Sequence, residues 1–185
     1  MSKKVYIFPR RRLRRHRRPH SSRPSPPRRN RYQNCIHQRN QTDQTSHGIT
    51  MLTDTTFAET DFADADMLVL GRNAGNQISC RIQTTYRPSD RFQQQRQKIA
   101  AICAAPSVFS GLGFLKNRKA TSYPSFMEII AGDGAKTSED NVVVDGNITT
   151  SRGLGTAVDF ALSLISQLEN DEKAKEIAES VVYTR

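Results

Sequence analysis

Residues 98–115 read KIAAICAAPSVFSGLGFL and give the clearest indication of the fold class. Residues 99–103 form a short apolar run of the kind that a buried parallel strand requires. Small residues at 101, 104 and 105 allow a tight crossing, and residues 104–115 are predicted to continue as a helix. A strand that passes directly into a helix is typical of an α/β protein, and it places the Cys103 thiol at the helix N-terminus.

The same alternation of strands and helices extends in both directions along the chain. An Asp145-Gly146 pair suits the tight turn of a hairpin, and Asn170 is a suitable N-cap for the last helix. Apolar residues recur on one face of the helix before it. We therefore predict an α/β sandwich with a parallel sheet, with strands over 1–8, 66–70, 99–103 and 120–123, a hairpin over 141–150, and helices over 104–115, 157–168 and 171–182.

Positive charge is concentrated in two segments of this 185-residue chain, whose net charge is +10. Residues 9–45 carry 12 Lys and Arg against 1 acidic residue, residues 71–97 carry 5 against 1, and the remainder sums to −5. Both segments are poor in apolar residues, so we expect them to be disordered. No apolar run has the length of a membrane helix or a signal peptide, so a cytoplasmic location is expected. The three cysteines predict no disulfide framework.

Cys103 is the residue with the clearest chemical potential. The positive end of a helix dipole favours the thiolate form, which is the nucleophile. The same turn would present the backbone N–H of Ala104 to an oxyanion, as in a nucleophile elbow. The alternative interpretation is a buried core cysteine, which is the commoner role of a single cysteine.

Two motifs, AAICAAP (100–106) and TSRGLGTAVDFAL (150–162), resemble the ThiJ/PfpI family. The resemblance implies one flavodoxin-like domain over 1–185 that usually forms a homodimer. Residues 98–185 are expected to be intact, and the two basic segments are expected to disrupt the N-terminal half. Cys103 matches the family's reactive cysteine, and Ala104 matches the residue after it. Tyr123 stands where some members have a histidine. The loop that borders the pocket and the dimer interface supplies the other pocket candidates, Ser151, Arg152, Gly153 and Leu154.

The resemblance also implies a function. It predicts a cysteine-dependent deglycase or glyoxalase that acts on small reactive carbonyls such as methylglyoxal, or on glycated protein, with no cofactor and no metal. Cys103 would attack the carbonyl while a glutamate transfers the proton. That glutamate follows the first strand in the family, and a Gly-rich oxyanion loop follows the strand that ends here at Leu70. Residues 9–45 and 71–97 occupy those two places, so little activity is expected of the chain as written.

A shift of reading frame explains both basic segments. Arginine codons carry G in the middle, so reading one base later yields Gly, Ala, Val, Asp or Glu. Back-translation of residues 9–35 permits, in that second frame, an acidic motif followed by an amphipathic helix and a strand. Residues 71–82 permit a Gly-rich loop in the same phase. We therefore interpret 9–45 and about 71–97 as out-of-frame translation of a gene of this family.

Two other functions remain open, and a metal site is not expected. A non-catalytic redox or chaperone module would use Cys103 as an oxidisable sensor. The arginines of 9–32 could bind nucleic acid, which we expect to be non-specific and salt-dependent. His16, His20, Cys35 and His37 show spacings that resemble those of metal ligands, but they lie in the first basic segment and lack a convincing fourth ligand, so no metal site is expected.

Overall fold

The computed structural model describes residues 3–8, 36–37, 42–44, 50–52, 54–56, 60, 62, 65–71 and 97–184. The strands in these ranges are β1 (Val5–Phe8), β2 (Ile36–His37), β3 (Thr42–Gln44), β4 (Thr50–Leu52), β5 (Thr55–Thr56), β6 (Met67–Leu70), β7 (Lys98–Ile102), β8 (Lys119–Ala120), β9 (Lys136–Thr137), β10 (Val142–Asp145) and β11 (Ile148–Ser151). The helices are α1 (Pro106–Gly111), α2 (Met127–Gly132), α3 (Ala157–Leu168) and α4 (Asp171–Ser180), with 3₁₀ turns at Pro124–Phe126 and Leu154–Thr156.

A five-stranded sheet in the order β1-β6-β7-β11-β10 organises the fold. The first four of these strands run parallel, and β10 pairs antiparallel with β11 through the predicted hairpin. Gly146 in the hairpin turn has a φ of 61°, a conformation that glycine adopts without steric cost. The predicted α/β class with a mostly parallel sheet is confirmed.

Helices cover both faces of this sheet because its strands are apolar on both sides. Leu68 and Leu70 pack with α1 and α2 on one face, while Met67 and Val69 pack with α3 on the other. This alternation follows from the two-residue period of a strand. The sheet therefore lies between two apolar layers, as the unbroken apolar sequence of β6 predicts.

The helix that follows Cys103 is shorter than predicted: α1 covers Pro106–Gly111, not residues 104–115. Proline is favoured at the first helical position because its missing N–H has no partner there. The end of α1 is a Schellman motif in which Gly113 takes a φ of 78°, its N–H bonds Ser110 O (2.8 Å), and Phe114 N–H bonds Phe109 O (2.9 Å). The predicted end at residue 115 was wrong because Gly113 ends the helix.

The other differences are small. The strand predicted over 120–123 is the two-residue β8, which ends at Ala120. The last helix ends at Ser180 instead of residue 182, and Asn170 caps it as predicted, its Oδ1 accepting from Lys173 N–H at 2.7 Å. Within the described ranges, no helix combines the length and apolar character that a membrane crossing requires.

The two basic segments fall mostly outside the described residues. The structure does describe two short strands in the first of them, β2 and β3, where the composition predicted disorder. Backbone pairing with β5 and β4 accounts for them. These strand pairings could not be predicted from composition, because composition indicates only the local preference of the chain.

Candidate active site

The carboxyl ends of two neighbouring parallel strands, β7 and β11, form the candidate site. Ile102 at the end of β7 pairs with Ser151 at the end of β11. The N–H of Cys103 then donates to Ser151 O at 3.0 Å and extends this pairing by one residue. Ligands of open α/β sheets bind at this edge, outside the carboxyl ends of the strands. The fold therefore brings the predicted nucleophile and the predicted 151–154 loop together.

Cys103 itself adopts a left-handed backbone conformation, with a φ of 67°. Residues other than glycine and asparagine rarely take this conformation, which costs of order 1–3 kcal/mol and persists only where the surroundings enforce it. Cys103 is a partly buried residue with a free thiol, which no described residue hydrogen-bonds. The sequence predicted that this thiol lies at the helix N-terminus. That prediction was wrong, because a short turn separates Cys103 from the helix: Ala105 is the N-cap and α1 starts at Pro106.

The backbone of Ala104 has one satisfied group and one available group. Its carbonyl accepts from the Ser107 N–H at 3.1 Å and from the Ser107 hydroxyl at 2.7 Å. Its N–H donates to no acceptor in the part of the chain that the structure describes. An amide donor next to the residue that carries the thiol is what an oxyanion would require.

Two residues from the segment after β8 hold the Cys103 carbonyl. The Tyr123 N–H and the Ser122 hydroxyl both donate to Cys103 O, each at 2.8 Å. Ser122 is fully buried and was missed at the sequence level, where nothing distinguishes it from any serine before an X-Pro pair. The Tyr123 side chain is 47% exposed and lies against Gly153, where an added Cβ would stand 3.5 Å from its Cδ2 atom.

The 151–156 loop is held mainly by hydroxyl groups. Ser151 Oγ is buried, donates to Asn141 O (2.7 Å) and shares a bond with Thr156 Oγ1 (2.7 Å). Thr156 Oγ1 also bonds the Gly153 backbone at 3.0–3.1 Å. The hydroxyl of Ser151 is thus engaged in shaping the loop. Its backbone carbonyl is the group that contacts Cys103.

The last two pocket candidates are Arg152 and Leu154. Arg152 Nη1 donates to Glu139 O at 2.9 Å, which ties the loop to the turn before β10. Leu154 is 94% exposed, an unusual fraction for a leucine next to a candidate site.

The described residues of this cluster include neither a proton-transferring carboxylate nor a metal site. Among the described residues no Asp or Glu hydrogen-bonds Cys103, and no group of three or more His, Cys, Asp or Glu could hold a metal ion. Cys80, His16, His20 and Cys35 lie outside the described residues. A groove of about 600 Å³ lies elsewhere, against β10, α3 and α4, and contains none of the candidate residues.

Known proteins resemble this chain in sequence and in fold. A family model described as "DJ-1/PfpI family" matches residues 32–167. The crystal structure of Drosophila melanogaster DJ-1beta superposes with a TM-score of 0.66 and 28% identity over 79% of each chain. Protein DJ-1 homolog A of Arabidopsis thaliana is 37% identical over 71% of this chain, which spans only about a third (34%) of that longer protein.

Two relatives carry names that state an activity. The glutathione-independent glyoxalase DJR-1.2 of Caenorhabditis elegans is 38% identical over 43% of this chain and 42% of its own length. The deglycase TK1284 of Thermococcus kodakarensis is 31% identical over 59% of this chain and 66% of its own length. The family match covers well over half of the chain and includes both motifs around Cys103 and Ser151. The chain belongs to the DJ-1/PfpI family.

Proposed function

We propose that this chain carries the nucleophilic half of a deglycase- or glyoxalase-type site that acts on small reactive carbonyls or glycated protein. The observation that carries the proposal is the strained backbone of Cys103, a partly buried residue that follows the sheet edge with a φ of 67° and forms no disulfide. Strain of this kind persists where the surrounding structure enforces it, and it is concentrated at active sites. The names of the two relatives support the same substrate class.

The chemistry with methylglyoxal needs only water as a second reactant. The Cys103 thiolate adds to the aldehyde carbon, and the carbonyl electron pair moves to oxygen, where the Ala104 N–H stabilises it. A base moves the aldehyde-derived proton to the neighbouring carbon through an enediol, which leaves a lactoyl thioester. Hydrolysis of the thioester releases lactate and restores the thiolate.

Low turnover is expected of the chain as written. The family glutamate would carry the proton, and its place in the sequence falls in residues 9–45. The second oxyanion donor would come from a Gly-rich loop, whose place falls in residues 71–97. Addition of the thiol to the carbonyl needs neither group, so the adduct should form even where the later steps are slow.

The test measures adduct and product separately. Methylglyoxal is added to the chain, the adduct at Cys103 is located by trapping and peptide mass spectrometry, and lactate is quantified. We expect an adduct that Cys103→Ser abolishes, while the double variant Cys35→Ser/Cys80→Ser retains it. An equal adduct yield in Cys103→Ser would overturn the proposal.

A redox or chaperone role is the second candidate, and the free thiol of a residue that is only partly buried favours it. Cys103→Ser separates the two functions. A deglycase loses carbonyl turnover in this variant, whereas a sensor loses only the behaviour that depends on oxidation.

We also propose that residues 9–45 and about 71–97 are read out of frame, either through damage to the gene or through an error in its reading. Resequencing the DNA across codons 8–46 and 70–98 tests this. A gained or lost base at the segment edges supports the proposal. If the arginine codons are confirmed in an uninterrupted frame, the intact mass of the natural protein distinguishes a decayed gene from a basic-armed protein.

A homodimer is proposed for the assembled protein, with the 151–154 loop at its interface. The 94% exposure of Leu154 supports a partner surface there. Leu154→Glu should shift the protein from dimer to monomer in light scattering, and an unchanged dimer would exclude Leu154 from the interface.

A further inference from the structure

One peptide unit connects the nucleophile to the oxyanion donor. The carbonyl of Cys103 and the N–H of Ala104 belong to the same amide. A trans amide is planar, and its C=O and N–H bonds point in opposite directions. Whatever fixes the Cys103 carbonyl therefore also fixes the direction in which the Ala104 N–H points.

Two donors fix this carbonyl from one side. The Tyr123 N–H and the Ser122 hydroxyl both lie 2.8 Å from Cys103 O. The Ala104 N–H then points to the opposite side, where no described residue accepts it. Hydrogen bonds at a carbonyl also polarise the amide, which makes its N–H a stronger donor.

Ser122 is itself held rigidly in place. It is fully buried, and its N–H contacts Met127 Sδ at 3.2 Å. Its hydroxyl is thus presented to Cys103 O by a side chain with little freedom to move. The other donor on this carbonyl is a backbone N–H, so Ser122 is the one of the two that a side-chain substitution can remove.

We propose that Ser122 is a positioning residue for carbonyl chemistry: its hydroxyl orients and polarises the Cys103–Ala104 peptide so that the Ala104 N–H faces the substrate oxygen. This rests on the proposed function, which assigns the oxyanion to Ala104. The Ser122 hydroxyl bonds the Cys103 carbonyl and not its thiol, so the proposed role acts through the amide.

The sequence offers a direct spectroscopic test, because Cys103–Ala104 is its single Cys–Ala pair. Labelling cysteine with ¹³C at the carbonyl and alanine with ¹⁵N leaves one cross-peak in a carbonyl–amide correlation spectrum of the full chain. Ser122→Ala should move the carbonyl resonance upfield, since a hydrogen bond is lost. Ser122→Thr keeps the hydroxyl and should restore it.

The matched control is Ser110→Ala, which removes another buried hydroxyl whose bond is to Asp133 Oδ2 (2.7 Å). It should leave the cross-peak in place. Ser122→Cys substitutes for Ser122→Ala if the latter does not fold, because the thiol retains the size but donates weakly. An unmoved cross-peak in the folded variant, or an equal shift in Ser122→Thr, would overturn the proposal.

Titration with methylglyoxal then connects the shift to chemistry. The methylglyoxal concentration that gives half-maximal adduct should be about tenfold higher for Ser122→Ala than for the wild type. A tenfold change is the effect expected from losing one hydrogen bond. Equal titration curves for the wild type and the variant would overturn the role in the reaction. If the wild type forms no adduct with methylglyoxal, the proposed function is overturned. The carbonyl shift in Ser122→Ala would still show whether Ser122 orients the peptide.

Discussion

The turns at Cys103 and Asn117 have nearly the same backbone conformation for different reasons. Their φ angles are 67° and 63°. Asparagine tolerates this conformation because its short polar side chain can bond locally, and Asn117 is exposed. Cysteine has no such compensation.

The compensation at Cys103 comes from other parts of the chain. Ser151 accepts from its N–H, while Ser122 and Tyr123 donate to its carbonyl. Asn117 has a simpler backbone contact, an N–H bond to Gly134 O at 2.8 Å. The Asn117 turn is thus a connector that suits its residue type, whereas the Cys103 turn is a strained position that tertiary contacts maintain.

The largest change in the free energy of unfolding is expected from the hydrogen bond that anchors the segment packed against the Cys103 turn. Thr121 N–H donates to Thr150 Oγ1 at 2.9 Å and anchors the segment that reaches Ser122 and Tyr123. Thr150→Val leaves that buried N–H without an acceptor, so the free energy of unfolding should fall by about 1–3 kcal/mol. Urea denaturation measures the loss.

Thr121→Val is the control for this prediction. The Thr121 hydroxyl is buried and has no partner among the described residues, so its removal should stabilise the protein by about 1 kcal/mol or leave it unchanged. If Thr121→Val and Thr150→Val destabilise equally, the Thr121–Thr150 bond is not the anchor.

The next effect tests the comparison itself. Glycine relieves left-handed strain and alanine does not. At both 103 and 117 the free energy of unfolding of the Gly variant should therefore exceed that of the Ala variant by about 1 kcal/mol. At 117 the wild-type stability should lie near that of Asn117→Gly. At 103 it should lie near that of Cys103→Ala.

Thermal or urea unfolding of these four variants gives the answer. A wild-type protein as stable as Cys103→Gly would show that the cysteine is not strained. The contrast between the two turns would then be lost.

The smallest effect concerns Lys98, which begins the strand that Cys103 follows. Burial lowers the pKa of Lys98 from 10.5, with a further contribution from the nearby charge of Lys3. The unfolded chain therefore binds more protons than the folded protein in the window just below pH 10.5. Burying the charged lysine costs stability, and this cost is fully present below the pKa of the folded protein. It is lost as the pH rises and the lysine loses its proton, so stability should increase through that window.

Lys98→Met should remove this slope, although it also removes the bond from Lys98 Nζ to Gln167 O. The difference between wild-type and Lys98→Met urea midpoints, followed from neutral pH to 10.5, isolates the lysine from other titrating groups. A constant difference would contradict the prediction.

The sequence predicted the elements whose signals are local. The apolar runs of β6 and β7, the Asp145-Gly146 turn, the apolar face of α3 and the Asn170 cap are all found near the expected residues. The α1 end was also readable, because Gly113 is a Schellman glycine. Cys103, Ala104 and the 151–154 loop could be grouped because the resemblance linked their motifs.

The tertiary structure alone decided how the site is held. No pattern within β7 foretells that Cys103 takes a left-handed conformation, or that Ser122, 19 residues later, bonds its carbonyl. Composition likewise did not reveal the pairing of β2 with β5 or of β3 with β4. The physical reason is that residue type and periodicity set local backbone preference and which face is buried, whereas strain at one residue is sustained only by hydrogen bonds from segments that the fold brings beside it.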